Sequence, residues 1–95
     1  MRLTHHNDPG HGWLEVPLSL LLSLGIARDI SGYSYTDGVN AYLEEDMDAG
    51  TLCRALTAQG ETYTFLDAYT EDSFVRQLAP YNWLQLLTTP EADHD

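Results

Sequence analysis

The sequence predicts one small α+β domain, an antiparallel sheet with helices on one face in the order β-α-β-β-α-β-α. Three observations carry this reading. Ninety-five residues leave room for a single core. An apolar share of 43 % is enough to build it. Short strand-like runs also alternate with segments of helical period, instead of one kind dominating.

Taken in order, residues 1–10 (MRLTHHNDPG) are polar and close on a turn signal. They are expected as a flexible arm, with room for a short strand at its start. The domain proper is expected over residues 11–88. HGWLEV, His11 to Val16, is short and partly alternating, with Trp13 sharing a face with Glu15 and Leu14 with Val16, and it reads as a strand. Pro17 suits the first position of a helix, where its missing N–H costs nothing. Leu18, Leu20, Leu21, Leu22 and Leu24 surround a polar stripe of Ser19 and Ser23, so this helix should be buried on most sides and stop at Gly25.

SGYSYTDGVNAYLEE is the clearest local signal: two strand-like runs flank Asp37-Gly38, a dipeptide favoured in type I′ hairpin turns. That turn would set Thr36 opposite Val39, Tyr35 opposite Asn40, Ser34 opposite Ala41 and Tyr33 opposite Tyr42. One side of the ribbon then carries Gly32, Ser34, Val39, Ala41 and Leu43, a bed for helices. The other carries Tyr33, Tyr35, Tyr42 and Glu44, facing water or a partner.

Asp46 or Asp48 can cap the next helix, in which Ala49, Leu52, Cys53 and Leu56 recur at helical spacing up to Gly60. ETYTFLDAY is rich in strand formers. Asp72 or Ser73 caps a last short helix with Phe74, Val75 and Leu78 inward, stopped at Pro80. YNWLQLL should pack back on the domain, and residues 89–95 are expected as a disordered acidic tail. The element order is that of a ferredoxin-like split βαβ sandwich, although the first helix is short for a crossover.

Charge is the anomaly. Fifteen acids face four arginines and no lysine, for a formal net charge of −11. Such a surplus costs stability through self-repulsion, most of all at low salt. It disfavours direct binding to nucleic acid or to an anionic membrane and points to basic surfaces, cations or water. Cys53 is the lone cysteine, so no intrachain disulfide can form and a cytoplasmic location is expected. The apolar run VPLSLLLSLGI falls short of the roughly 20 residues a bilayer-spanning helix needs. It also lacks the flanks of a signal peptide.

The acids concentrate in YLEEDMDAG, at Glu44, Glu45, Asp46 and Asp48. Asp46 and Asp48 have a local reason, since acids at a helix start cap free N–H groups and meet the positive dipole end. Glu44 and Glu45 lie on the preceding strand, pointing to opposite faces, and gain nothing from the helix in this reading. A solvated acidic face is the plain explanation. Phosphate mimicry is the sharper one. A strand rises about 3.3 Å per residue, close to the roughly 3.4 Å per nucleotide of one DNA strand. A Lys/Arg-lined DNA channel would attract such a row in a fast, salt-sensitive way. Tyr33, Tyr35 and Tyr42 would add rigid aromatic anchors.

Other chemistries find less support. His5, His6, Asp8 and His11 are close in sequence, but their spacing matches no strong metal-binding pattern, and no metal or cofactor is expected. No nucleophile elbow, HExxH or Walker loop is present, and Cys53 sits on the apolar stripe of its helix, so no enzyme is expected.

The pattern HGWLEV…LGI…ISGYSY…AYLEED resembles a group of small proteins from bacteriophages and mobile elements, over roughly His11 to Gly60. In that group a cysteine commonly follows the acidic run. Met47 stands there in this chain, so no thiol role carries over. The resemblance implies a phage or plasmid accessory gene acting in the host cell. Small acidic proteins in that setting include anti-CRISPR and anti-restriction inhibitors that imitate DNA. The expectation is therefore an inhibitor of a host CRISPR effector (Cas) protein or another basic DNA-binding defence protein. The alternative is an interaction or regulatory module whose acidity only maintains solubility, making contact through the tyrosine face or the Trp83–Leu87 extension.

Overall fold

Leu14 and Val16 alternate with Trp13 and Glu15, and the chain is arranged on either side of the strand they form. The structure, a computed structural model, describes residues 1–87; the tail expected over 89–95 lies outside them. The strands are β1 (Arg2–Asn7), β2 (Gly12–Pro17), β3 (Tyr35–Thr36), β4 (Asn40–Glu44), β5 (Thr64–Tyr69) and β6 (Ala79–Pro80). The α-helices are α1 (Leu18–Ser23) and α2 (Asp48–Ala58). Short 3-10 turns occupy Ala27–Asp29, Phe74–Gln77 and Trp83–Leu87. The class is α+β, as the sequence predicts. No helix among the described residues is long and apolar enough to cross a membrane.

The six strands form one sheet in the order β5-β1-β2-β4-β3-β6. β1 and β5 run parallel, and every other pairing is antiparallel, so the sheet is mixed. The four strands read from the sequence (β2, β3, β4, β5) keep the order and directions of a split βαβ sandwich, with β1 inserted between β5 and β2. That insertion corrects the expected arm. Residues 2–7 are an interior strand, one in from the β5 edge, joined to β2 by a turn in which the Asp8 side chain accepts the N–H groups of Gly10 and His11, both at 3.0 Å.

On one face, Leu3, Leu14, Val16, Ala41 and Leu43 pack under Leu18 and Leu21 of α1 and Leu52 and Leu56 of α2. Full burial of each leucine or valine here contributes on the order of 1.5–3 kcal/mol. Tyr81, Trp83 and Leu86 join this core, so the expected packing of YNWLQLL on the domain holds. Helix α1 is less enclosed than expected, because Leu22 is 53 % exposed. Gly25 and Gly60 follow α1 and α2 with φ of 74° and 75°, the left-handed stops read from the sequence.

The opposite face carries a smaller cluster of Trp13, Tyr42 and Val75, with Tyr35 and Leu78 against it. The segment around Phe74–Gln77 lies here, a 3-10 turn capped by Ser73 rather than a helix on the same face as α1 and α2. Val75 is buried as expected, whereas Phe74 is 49 % exposed.

The hairpin register differs from the expected one. Tyr35 pairs with Tyr42 and Thr36 with Ala41, two residues away from the type I′ pairing. Asp37 is the cause. Its Oδ1 accepts the N–H groups of Val39 (2.9 Å) and Asn40 (2.7 Å), and its Oδ2 accepts the Tyr42 hydroxyl (2.9 Å). Those side-chain bonds favour a longer loop over the two-residue turn. A shift of two conserves the faces, so Tyr35 and Tyr42 stay on one side as expected.

Candidate functional site

The carboxylates of the Glu44–Asp48 run divide among different roles, so the four do not form one anionic plateau. Asp48 is 1 % exposed and turns inward. Its Oδ2 accepts the Ser31 N–H (3.0 Å), the Ser31 hydroxyl (2.7 Å) and the Ser34 hydroxyl (2.6 Å). A partner cannot reach it. Glu44, read as indifferent to the helix, in fact serves its start, whereas the N-cap position is Met47 and neither Asp46 nor Asp48 caps it as expected. Glu44 Oε1 accepts the Asp48 N–H and Oε2 the Asp46 N–H, each at 3.1 Å. The Glu44 N–H in turn donates to Ser34 Oγ at 3.0 Å, closing a small network across β4, the serine turn and α2.

Glu45 and Asp46 are both exposed, but only Asp46 lies beside Glu44 on the tyrosine side. Glu45 reaches the helix-bearing side, where its Oε1 is 3.1 Å from His5 Nε2. Gly12 permits this approach, since a Cβ there would fall 2.0 Å from Glu45 Oε1. Among the described residues none of the four carboxylates pairs with an arginine, and the one arginine–carboxylate bridge is Arg76 with Asp8.

The tyrosines divide too. Tyr42 is 4 % exposed, covered by the segment around Val75 and anchored on Asp37, and is unavailable to a partner. Burial, followed by the hydrogen bond to Asp37, pushes its phenol up to about 12. Tyr33 is 77 % exposed. Tyr35 is half-buried, with Trp13 edge-on to it at 6.2 Å.

What remains comes together. Tyr33, Tyr35, Glu44 and Asp46 line an open groove of about 530 Å³. Trp13, His11, Met47 and Arg76 complete its wall. Arg76 is already engaged: its Nε and Nη2 hold Asp8, and its guanidinium lies 5.3 Å over the Trp13 ring. The groove thus joins aromatic surface to two carboxylates, a combination suited to the stem and head of a Lys or Arg side chain. The side of the strand that Trp13 takes was readable in its alternation with Leu14 and Val16. The place of Arg76 was not, since it depends on where the chain beyond β5 returns.

The histidines do not converge. Strand alternation sends His5 and His6 to opposite faces: His5 toward Glu45 and Asp67, His6 to within 2.6 Å of Glu15 Oε1. His11 stacks on Trp13 at 5.8 Å. Among the described residues no group of three or more His, Cys, Asp or Glu side chains is placed to hold a metal ion. Cys53 is partly buried against the core. No family model, curated protein or solved structure matches this chain.

Proposed function

We propose that this chain is a non-enzymatic binding protein for a basic protein surface, engaged at the groove formed by Tyr33, Tyr35, Glu44 and Asp46. The observation that supports this is Tyr33, 77 % exposed beside two carboxylates without an arginine partner, on a chain of net charge −11. A large rigid aromatic left in water beside carboxylates that no arginine neutralises is suited to contact with a cationic side chain. The carboxylates would steer a cationic partner and the tyrosines would hold it.

In its finer form the proposal is an anti-CRISPR inhibitor, occupying the Lys/Arg-rich DNA-binding surface of a host effector inside the cell. The phage-type resemblance of His11 to Gly60 motivates that setting. Burial of Asp48 shortens the phosphate-like row to Glu44 and Asp46, with Glu45 turned to the far side, and burial of Tyr42 leaves Tyr33 and Tyr35 as the aromatic anchors. The same split favours a second reading, an interaction module whose acidity serves solubility and whose contact is mainly aromatic. A pull-down of CRISPR effector complexes at rising salt separates the two. Capture lost with salt and with Asp46→Lys supports electrostatic inhibition. Capture indifferent to both but lost in Tyr33→Ala supports the module, and no capture at all contradicts the anti-CRISPR form.

A further inference from the structure

The two edges of the sheet are unlike. β6 at one end is two residues long and contains Pro80, which has no N–H to offer an incoming strand. β5 at the other end is six residues long, contains no proline or lysine, and leaves Phe65, Leu66 and Tyr69 54 %, 48 % and 55 % exposed. Proteins ordinarily blunt such an edge.

Its inner side is fully used. Thr64 N–H donates to Met1 O and Thr70 N–H to Asn7 O, both at 2.9 Å, and the residues between pair with β1 in parallel register. The alternation of a parallel ladder turns the N–H and C=O groups of Phe65, Asp67 and Tyr69 outward. Among the described residues no strand pairs with them. Their side chains share the face of His5 and Leu3. Beside them on that face a groove of about 390 Å³ has Leu14, Ala49, Cys53 and Phe65 for its apolar floor and Glu45 and Asp67 at its lip.

We infer that β5 is a docking edge for an extended, basic segment of a partner protein, which adds as a seventh strand and lays a Lys or Arg side chain into this groove. Strand addition supplies main-chain hydrogen bonds, and the neighbouring pocket supplies selectivity. The apolar floor suits the methylene stem and the two carboxylates suit the charged head. Charge selects the occupant. A second copy of this chain would bring another net charge of −11 against the first, whereas a cationic strand is attracted. The site is separate from the tyrosine groove and does not depend on it.

The test uses the intact protein and a capped peptide alternating lysine and valine, about six residues long to match a typical strand. Hydrogen exchange should slow at the amides of Phe65, Asp67 and Tyr69 and stay unchanged at Leu66 and Ala68. Tyr69→Pro removes an outward N–H that β1 does not use, and should weaken the peptide by about tenfold or more. Asp67→Lys should weaken it similarly by charge reversal without touching the backbone. Tyr33→Ala should leave it unchanged, which separates this site from the groove proposed above. Absence of binding, equal binding of the glutamate–valine counterpart, or protection outside β5 overturns the inference. So does concentration-dependent protection of these amides by the protein alone, which would make a second copy the occupant.

Discussion

Arg76 holds both carboxylate oxygens of Asp8, Nε to Oδ2 at 2.7 Å and Nη2 to Oδ1 at 2.9 Å, and so ties the segment after β5 to the β1–β2 turn. The Arg76 guanidinium, helped by the N–H groups of His11, Gly10 and Ser73 and opposed by burial, holds the Asp8 carboxyl well below the usual carboxylate range. A depressed acid contributes stability that is fully present above its unfolded value of about 3.9 and is lost as pH falls through the folded value. Unfolding on acidification should therefore steepen below about pH 4. Trp13, under the Arg76 guanidinium, reports it by fluorescence. Asp8→Asn should be less stable at neutral pH and show a flatter acid limb.

At the other extreme of pH, Tyr42 and Tyr81 behave with opposite sign. Burial is the first cause for both and pushes each phenol up to about 12. The stability they confer is complete below the ordinary value of about 10 and is lost as pH rises toward the folded value. Denaturant titrations from neutral to strongly alkaline pH should show the decline, and Tyr42→Phe should reduce its slope.

Ser34 carries a larger load than its size suggests, since its hydroxyl donates to buried Asp48 and accepts the Glu44 N–H. Ser34→Ala removes both bonds and should cost about 1–3 kcal/mol. Tyr33→Ala, at a site 77 % exposed, should change stability by no more than roughly 0.5 kcal/mol. Equal losses in urea unfolding would contradict the assignment of Ser34 to the frame and Tyr33 to the surface.

Leu56 is fully buried between α2 and the sheet, while Leu22 is half in water. Leu56→Ala should destabilise by about 2–5 kcal/mol, and Leu22→Ala by roughly a tenth to a half of that, given its exposure. Chemical denaturation of the two variants side by side checks the packing of the main core.

Legible in the sequence were the features set by local period and punctuation. Helix α2, its apolar stripe and its glycine stop lie where the spacing of Ala49, Leu52, Cys53 and Leu56 puts them. Strand β1 was not legible because Leu3 is its one apolar residue buried in the core; His5 and His6 find carboxylate partners at Asp67, Glu45 and Glu15, which no local pattern announces. The hairpin kept its faces but not its register, because the Asp37 side chain chose the loop. Within the candidate site, Tyr33, Tyr35, Glu44 and Asp46 were readable as one side of a ribbon and the helix start after it. Tyr42 and Asp48 were withdrawn by distant elements, the segment around Val75 and the serines at 31 and 34.

The groove of Tyr33, Tyr35, Glu44 and Asp46 is proposed to receive a cationic protein surface. The direct measurement is displacement of fluorescent duplex DNA from a purified CRISPR effector by this protein, followed by anisotropy across a salt series. The wild-type chain should displace the DNA, less so as salt rises, and the combined Tyr33→Ala, Asp46→Lys variant should not. DNA that stays bound at every salt concentration, or is released equally by that variant, contradicts a cation-receiving role for this groove.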